Sequence, residues 1–107
     1  MNSFGLPPDI FSEILGVLKI YPEIESAKIF GSRAKGNYKR YSDVDIVLYA
    51  NTSKNLAATV QGHLNDLYSI YAFDVLQYES ITHAELKLHI DNVGIEIYTA
   101  NNEYERK

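Results

Sequence analysis

Residues 42–50, SDVDIVLYA, limit the possible folds more than any other stretch of the chain. Val44, Ile46 and Leu48 alternate with Asp43, Asp45, Val47 and Tyr49, and a period of two divides cleanly into two faces only in an extended strand. One face is wholly apolar and must be covered. The other opens with two carboxylates and continues with Val47 and Tyr49, so it is not a simple solvated surface. Such a strand needs neighbours in a sheet, apolar layers against it, and a cation or donor near its acids.

The remaining patterns provide those layers. Pro7, Pro8 and Asp9 read as a helix entry, with Asp9 suited to the cap, and Ile10, Phe11, Ile14, Leu15 and Leu18 recur at helical spacing before Pro22. SAKIFG is short, apolar and ended by glycine, a strand running into a turn. Leu56, Val60, Leu64 and Leu67 mark a second helix, and AFDVLQY a third strand with Phe73, Val75 and Gln77 opposite Asp74, Leu76 and Tyr78. In THAELKLHIDNVG, Thr82 and Glu85 have capping-box spacing and Gly94 suits a helix terminator; IEIY reads as an edge strand. The predicted class is α/β (α+β): a small mixed sheet of about three to five strands flanked by helices.

At 107 residues the chain has room for one core, so residues 1–107 are expected to form a single domain, with a motif-bearing part at about 29–98 and a polar tail at 99–107. No apolar run is long enough to span a membrane, and MNSFGLPPD lacks the basic and apolar regions of a signal peptide. The absence of cysteine fits a reducing compartment, so a cytoplasmic location is expected. A net charge of −4 argues against general nucleic-acid binding. The cations are nevertheless clustered: Arg33, Lys35, Lys39 and Arg40 are four of the ten Lys and Arg residues, in a stretch without a single acid.

Asp43 and Asp45, at i and i+2 of a strand, project from one face about 7 Å apart at the backbone. Carboxylates are preferred ligands of hard cations, and Mg²⁺ is typically held by one or two of them together with substrate phosphates. A bare D-x-D equally suits a solvated strand face. Asp74 lies between Phe73 and Val75, where it is either a strand-end acid in water or a third ligand beside the pair. Gly31 permits close backbone approach, and a helix starting at Ser32 would turn free N–H groups towards an anion, with the Ser32 hydroxyl as a further donor. Arg33 and Lys35 would add positive charge there.

Gly31-Ser32, ten intervening residues and Asp43-x-Asp45 together form G-S-x10-D-x-D, with GSRAKG before SDVD. This pattern resembles the signature of the polymerase-beta-like nucleotidyltransferases, and most closely their minimal bacterial members, the MNT proteins commonly encoded beside HEPN-domain proteins. FDV fits the strand of the third carboxylate and VGIEIY the usual ending, so the resemblance runs from about Ile29 to Tyr98. It implies that Gly31 and Ser32, with Arg33, Lys35 and Ser42 near them, bind the nucleotide. It further implies that Asp43, Asp45 and Asp74 hold two Mg²⁺ ions, and that Asp74 helps activate the acceptor hydroxyl. The implied activity is transfer of AMP from ATP to a tyrosine of a partner HEPN ribonuclease toxin, which makes the chain an antitoxin. The alternative is a catalytically weak nucleotide-binding module that neutralises its partner by binding alone.

Other residues read as packing or surface. His63, His83 and His89 lack metal-ligand spacing. Most of the nine tyrosines suit the edge of a core. Tyr38 and Tyr41 lie in the basic loop, where they reach either a base, an acceptor protein or the loop surface; Lys39 and Arg40 face the acceptor or water. Tyr98 and Tyr104 are candidate partner contacts.

Overall fold

The computed structural model describes residues 4–67 and 69–100. In chain order the elements are α1 (Pro8–Ile20), β1 (Ile24–Phe30), α2 (Gly31–Lys35), β2 (Val44–Ala50), α3 (Leu56–Asn65), β3 (Phe73–Gln77), a 3₁₀ turn (Tyr78–Ser80), α4 (Ala84–Val93) and β4 (Ile95–Thr99). The strands form one sheet of four in the order β3-β2-β1-β4. β2 and β3 are parallel, joined through α3, whereas β1 runs antiparallel to both β2 and β4. The expected small mixed sheet flanked by helices is therefore what forms.

Two apolar layers sandwich the sheet. On one face Ile29, Val44, Ile46, Leu48, Phe73 and Val75 pack against Ile14 and Leu18 of α1 and Val60 and Leu64 of α3. On the other, Phe30 and Val47 pack against Ile90 of α4, with Tyr49, Leu76 and Leu86 around them. The alternation in β2 thus assigns Val44, Ile46 and Leu48 to the first layer and Asp45, Val47 and Tyr49 to the second. Among the described residues no helix is long and apolar enough to cross a membrane.

Several boundaries differ from the sequence reading, each for a local reason. Pro7 is the N-cap residue of α1 and makes no side-chain cap bond; Asp9 sits inside the first turn, where it complements the helix dipole. β1 begins at Ile24, two residues before SAKIFG, and pairs Ile24 with Ala50. Asp43 immediately precedes β2 instead of lying within it. The Thr82–Glu85 capping box does not form, because α4 starts one residue later and His83 Nδ1 accepts the Leu86 N–H at 3.3 Å. β4 extends through Thr99, and residues 101–107 lie outside the described ones.

The outer edge of β3 is closed by amide side chains from α3. Gln61 Oε1 accepts the Val75 N–H at 2.7 Å and Asn65 Oδ1 the Phe73 N–H at 2.9 Å, so the edge is not open to pairing. Gln77 does the reverse and caps α3 from β3. It is 6 % exposed; its Oε1 accepts the Leu56 and Ala57 N–H groups at 3.0 and 3.2 Å, while its Nε2 donates to the carbonyls of Lys54 and Thr52. Gln77→Leu would leave those buried helix donors unpaired. The expected loss is about 2–3 kcal/mol in urea unfolding, with the fold retained.

Candidate active site

The C-terminal end of β1 and the N-terminal ends of β2 and β3 meet at one end of the sheet. Phe30 pairs with Asp45 across the antiparallel ladder, and Asp45 with Asp74 across the parallel one. In-register residues share a face, so Asp45 and Asp74 stand side by side on the face that α4 covers, about 4.8 Å apart at the backbone. Asp43 and Asp74 are exposed, and Asp45 is half-buried between them.

Crowding shows in the Asp45 carboxyl, which is pushed up from 3.8 to about 6. Burial is the largest cause; the negative charges of Asp74 and then Asp43 add to it, and the nearby Arg33 guanidinium partly offsets them. The charges of Asp74 and Asp43 therefore both bear on Asp45 at this end of the sheet. Among the described residues no group of three acids or histidines closes around a point as a finished metal cage. The donor set nonetheless fits a hard divalent cation, because a half-buried carboxylate raised by its acidic neighbours is relieved by positive charge. Mg²⁺ completes its shell with phosphates and water rather than with protein alone.

The Gly-Ser turn lies directly against these acids. Gly31 opens α2, one residue earlier than expected, and has φ +73°. A Cβ there would collide with Asp45 Oδ2, so glycine is required twice, by backbone conformation and by the approach of the carboxylate. Ser32 follows on the half-buried side of the turn, and the Gly36 N–H closes the short helix on the Ser32 carbonyl at 2.9 Å.

Arg33 requires a correction. It was expected to face phosphate, yet it is 1 % exposed and its guanidinium is spent on backbone carbonyls. It donates to Phe4 at 2.7 Å, to Ser42 at 2.9 and 3.2 Å and to Arg40 at 3.3 Å. Its planar group also lies 5.0 Å from the Tyr38 ring centroid and 5.2 Å from that of Tyr71. Arg33 thus pins the basic loop to the body of the protein, and only its charge reaches Asp45. Ser42 is part of the same arrangement: its carbonyl accepts from Arg33 and its Oγ accepts the Lys39 N–H at 2.8 Å. Lys35, Lys39 and Arg40 are exposed, Arg40 lying 5.4 Å from the ring centroid of Tyr41. Tyr104 lies outside the described residues.

His89 was read as a surface or packing residue, but the structure brings it to the turn. Its Nε2 accepts the Gly31 N–H at 3.3 Å, and its ring stands edge-on to Phe30 with centroids 6.2 Å apart. The sequence signal is slight: His89 follows Leu86 by three positions and precedes buried Ile90, on the inner side of α4. His63 does pack, with Tyr21 hydroxyl and His63 Nδ1 2.9 Å apart. A cavity of about 490 Å³ lies away from the acids, beside the C-terminal half of β3, lined by Val75, Leu76, Ile81 and Leu86 among others.

Comparison with known proteins bears on the family and the fold. The family described as Polymerase beta, Nucleotidyltransferase matches residues 12–103. No curated protein matches the chain significantly. Among solved structures, the chain is similar to one in a toxin–antitoxin crystallised with AMP-PNP, at 22% identity and a TM-score of 0.70, covering 83% of this chain and 73% of that one. It is similar to a chain of the MntA–HepT toxin–antitoxin at 18% identity and a TM-score of 0.65, covering 87% and 73%. The complex of tri-AMPylated Shewanella oneidensis HEPN toxin with MNT antitoxin has a chain matching at 18% identity and a TM-score of 0.64, covering 84% and 70%. These structural likenesses establish the shared fold. The family match extends over most of the sequence and includes Gly31-Ser32, Asp43, Asp45 and Asp74, so the chain belongs to the polymerase beta nucleotidyltransferase family.

Proposed function

We propose that this protein is a Mg²⁺-dependent nucleotidyltransferase that moves AMP from ATP to a tyrosine hydroxyl of a partner HEPN ribonuclease toxin in the cytoplasm, and so acts as an antitoxin. The observation that carries the reading is the in-register pair Asp45 and Asp74, with Asp43 beside it and the Gly31 turn pressed against Asp45. A pure binding surface has no use for a half-buried carboxylate crowded by two others next to a glycine-only turn. The choice of acceptor is supported by the similar structures, which are toxin–antitoxin complexes, one with AMP-PNP and one with a tri-AMPylated HEPN toxin.

Asp43, Asp45 and Asp74 would hold Mg²⁺, which when bound would neutralise phosphate charge and polarise the α-phosphorus. Ser32, presented by the Gly31 turn, would position the β- and γ-phosphates, and Lys35, exposed at the end of α2, would add charge as they arrive. Asp74, exposed at the rim, would take the proton of the tyrosine hydroxyl as its oxygen bonds to the α-phosphorus. The bond from the α-phosphorus to the bridging oxygen breaks, and pyrophosphate leaves. Arg33 keeps the loop that carries Ser42 in place.

The test is incubation with labelled ATP, Mg²⁺ and the product of the adjacent gene, comparing wild type with Asp43→Ala/Asp45→Ala. Label on the partner with wild type only, and failure of the variant to silence the toxin, is the expected outcome. Full neutralisation by the variant, without label from either protein, would establish the binding-module reading in its place.

A further inference from the structure

We propose that His89 is a positioning residue for nucleotidyl transfer, acting through Gly31 on the Asp45 carboxylate; this rests on the activity proposed above. Glycine is the residue with the most backbone freedom, and its N–H at the first position of a helix has no carbonyl of a preceding turn to bond. Gly31 is in that position with a left-handed backbone. Its N–H is taken by His89 Nε2, from a helix 58 residues further along the chain. An accepting Nε2 means that the ring carries its proton on Nδ1.

His89 is itself firmly mounted. The next residue, Ile90, is the buried anchor of α4 and packs with Phe30 and Val47, while the His89 ring stands at 78° to that of Phe30. Phe30 pairs with Asp45 in the sheet and immediately precedes Gly31. Ring, turn and carboxylate therefore form one contiguous contact chain. The consequence follows from the space at Gly31: the position a Cβ would take is occupied by Asp45 Oδ2, so any rotation of the Gly31 peptide moves the wall against which Asp45 rests. His89 holds that wall still.

Two substitutions separate this role from simple packing. His89→Phe keeps a ring against Phe30 but removes the acceptor; His89→Gln returns an acceptor on a flexible side chain. For His89→Phe the expected result is a fall in kcat of about tenfold or more, KM for ATP changing by less than about threefold, and a higher Mg²⁺ concentration for half-maximal transfer. His89→Gln is expected to recover kcat to within about threefold of wild type. In ¹H–¹⁵N spectra the Gly31 amide proton should move upfield in the Phe variant and return in the Gln variant. Wild-type kcat in His89→Phe, or equal losses of kcat in both variants, would overturn the proposal. Absence of transfer by the wild-type protein would overturn the activity on which it rests, a result distinct from either.

Discussion

Asp45→Asn is expected to yield a protein that is inactive and more stable than wild type at pH 7. The Asp45 carboxyl is raised from 3.8 to about 6 by burial and by Asp74 and Asp43, so the folded state prefers it protonated. For a carboxylate raised in this way, its stabilising contribution is fully present below the unfolded value and is lost as pH rises through the folded one. Wild-type stability should therefore decline between about pH 4 and pH 6 from this group. Asparagine cannot ionise and keeps the contribution throughout. Because the carboxyl is only half-buried, screening by solvent reduces the gain to about 1–2 kcal/mol, or roughly 5 °C in Tm. Transfer activity should drop by about 10³-fold or more, since the carboxylate at the centre of the triad is gone. Thermal melts at pH 4 and pH 7 check the first part: the two proteins should converge at the lower pH. ATP with Mg²⁺ should raise Tm for wild type and much less for the variant.

Gly31→Ala is expected to have the second largest effect, with the opposite sign on stability. At φ +73° an alanine incurs about 1–2 kcal/mol of backbone strain. Its Cβ also displaces Asp45 Oδ2, the tip of a flexible side chain that can rotate away at little further cost in stability. That rotation removes the carboxylate from its place beside Asp74. Activity should fall by about 10²-fold or more while the melt remains cooperative. The same argument makes the effects non-additive. In an Asp45→Asn background Gly31→Ala should reduce activity little further, because the group it displaces no longer functions.

The residues that carry these predictions were legible to different degrees. β2 could be read almost entirely, since its alternation is local and Asp45 breaks an otherwise apolar pattern, although Asp43 proved to lie just before the strand. Asp74 stood out for the same reason within β3, and the β2–β3 register then paired it with Asp45. The helices were marked by apolar spacing and Gly94 does end α4, but the N-caps were not marked: His83, a residue seldom considered for capping, takes the place expected of Thr82. Arg33 was misread because an arginine in a cluster of cations has no local mark of burial. Only folding brings the Phe4, Arg40 and Ser42 carbonyls around it. His89 was missed for the same reason at longer range, its partner being Gly31 on a different element. Local periodicity reports what a residue does within its own element; contacts that cross the sheet become visible only with the strand order.

The most direct measurement follows the phosphorus atom. Wild-type protein, Mg²⁺ and the product of the adjacent gene are incubated in parallel with ATP labelled at the α-phosphate and at the γ-phosphate, and the protein-bound label and released pyrophosphate are quantified. The expected result is α-label on a tyrosine of the partner, γ-label only in pyrophosphate, and both signals lost in Asp43→Ala/Asp45→Ala. Label entering the partner from the γ-position, or silencing of the toxin with no α-label transferred, would contradict nucleotidyl transfer as the activity of this site.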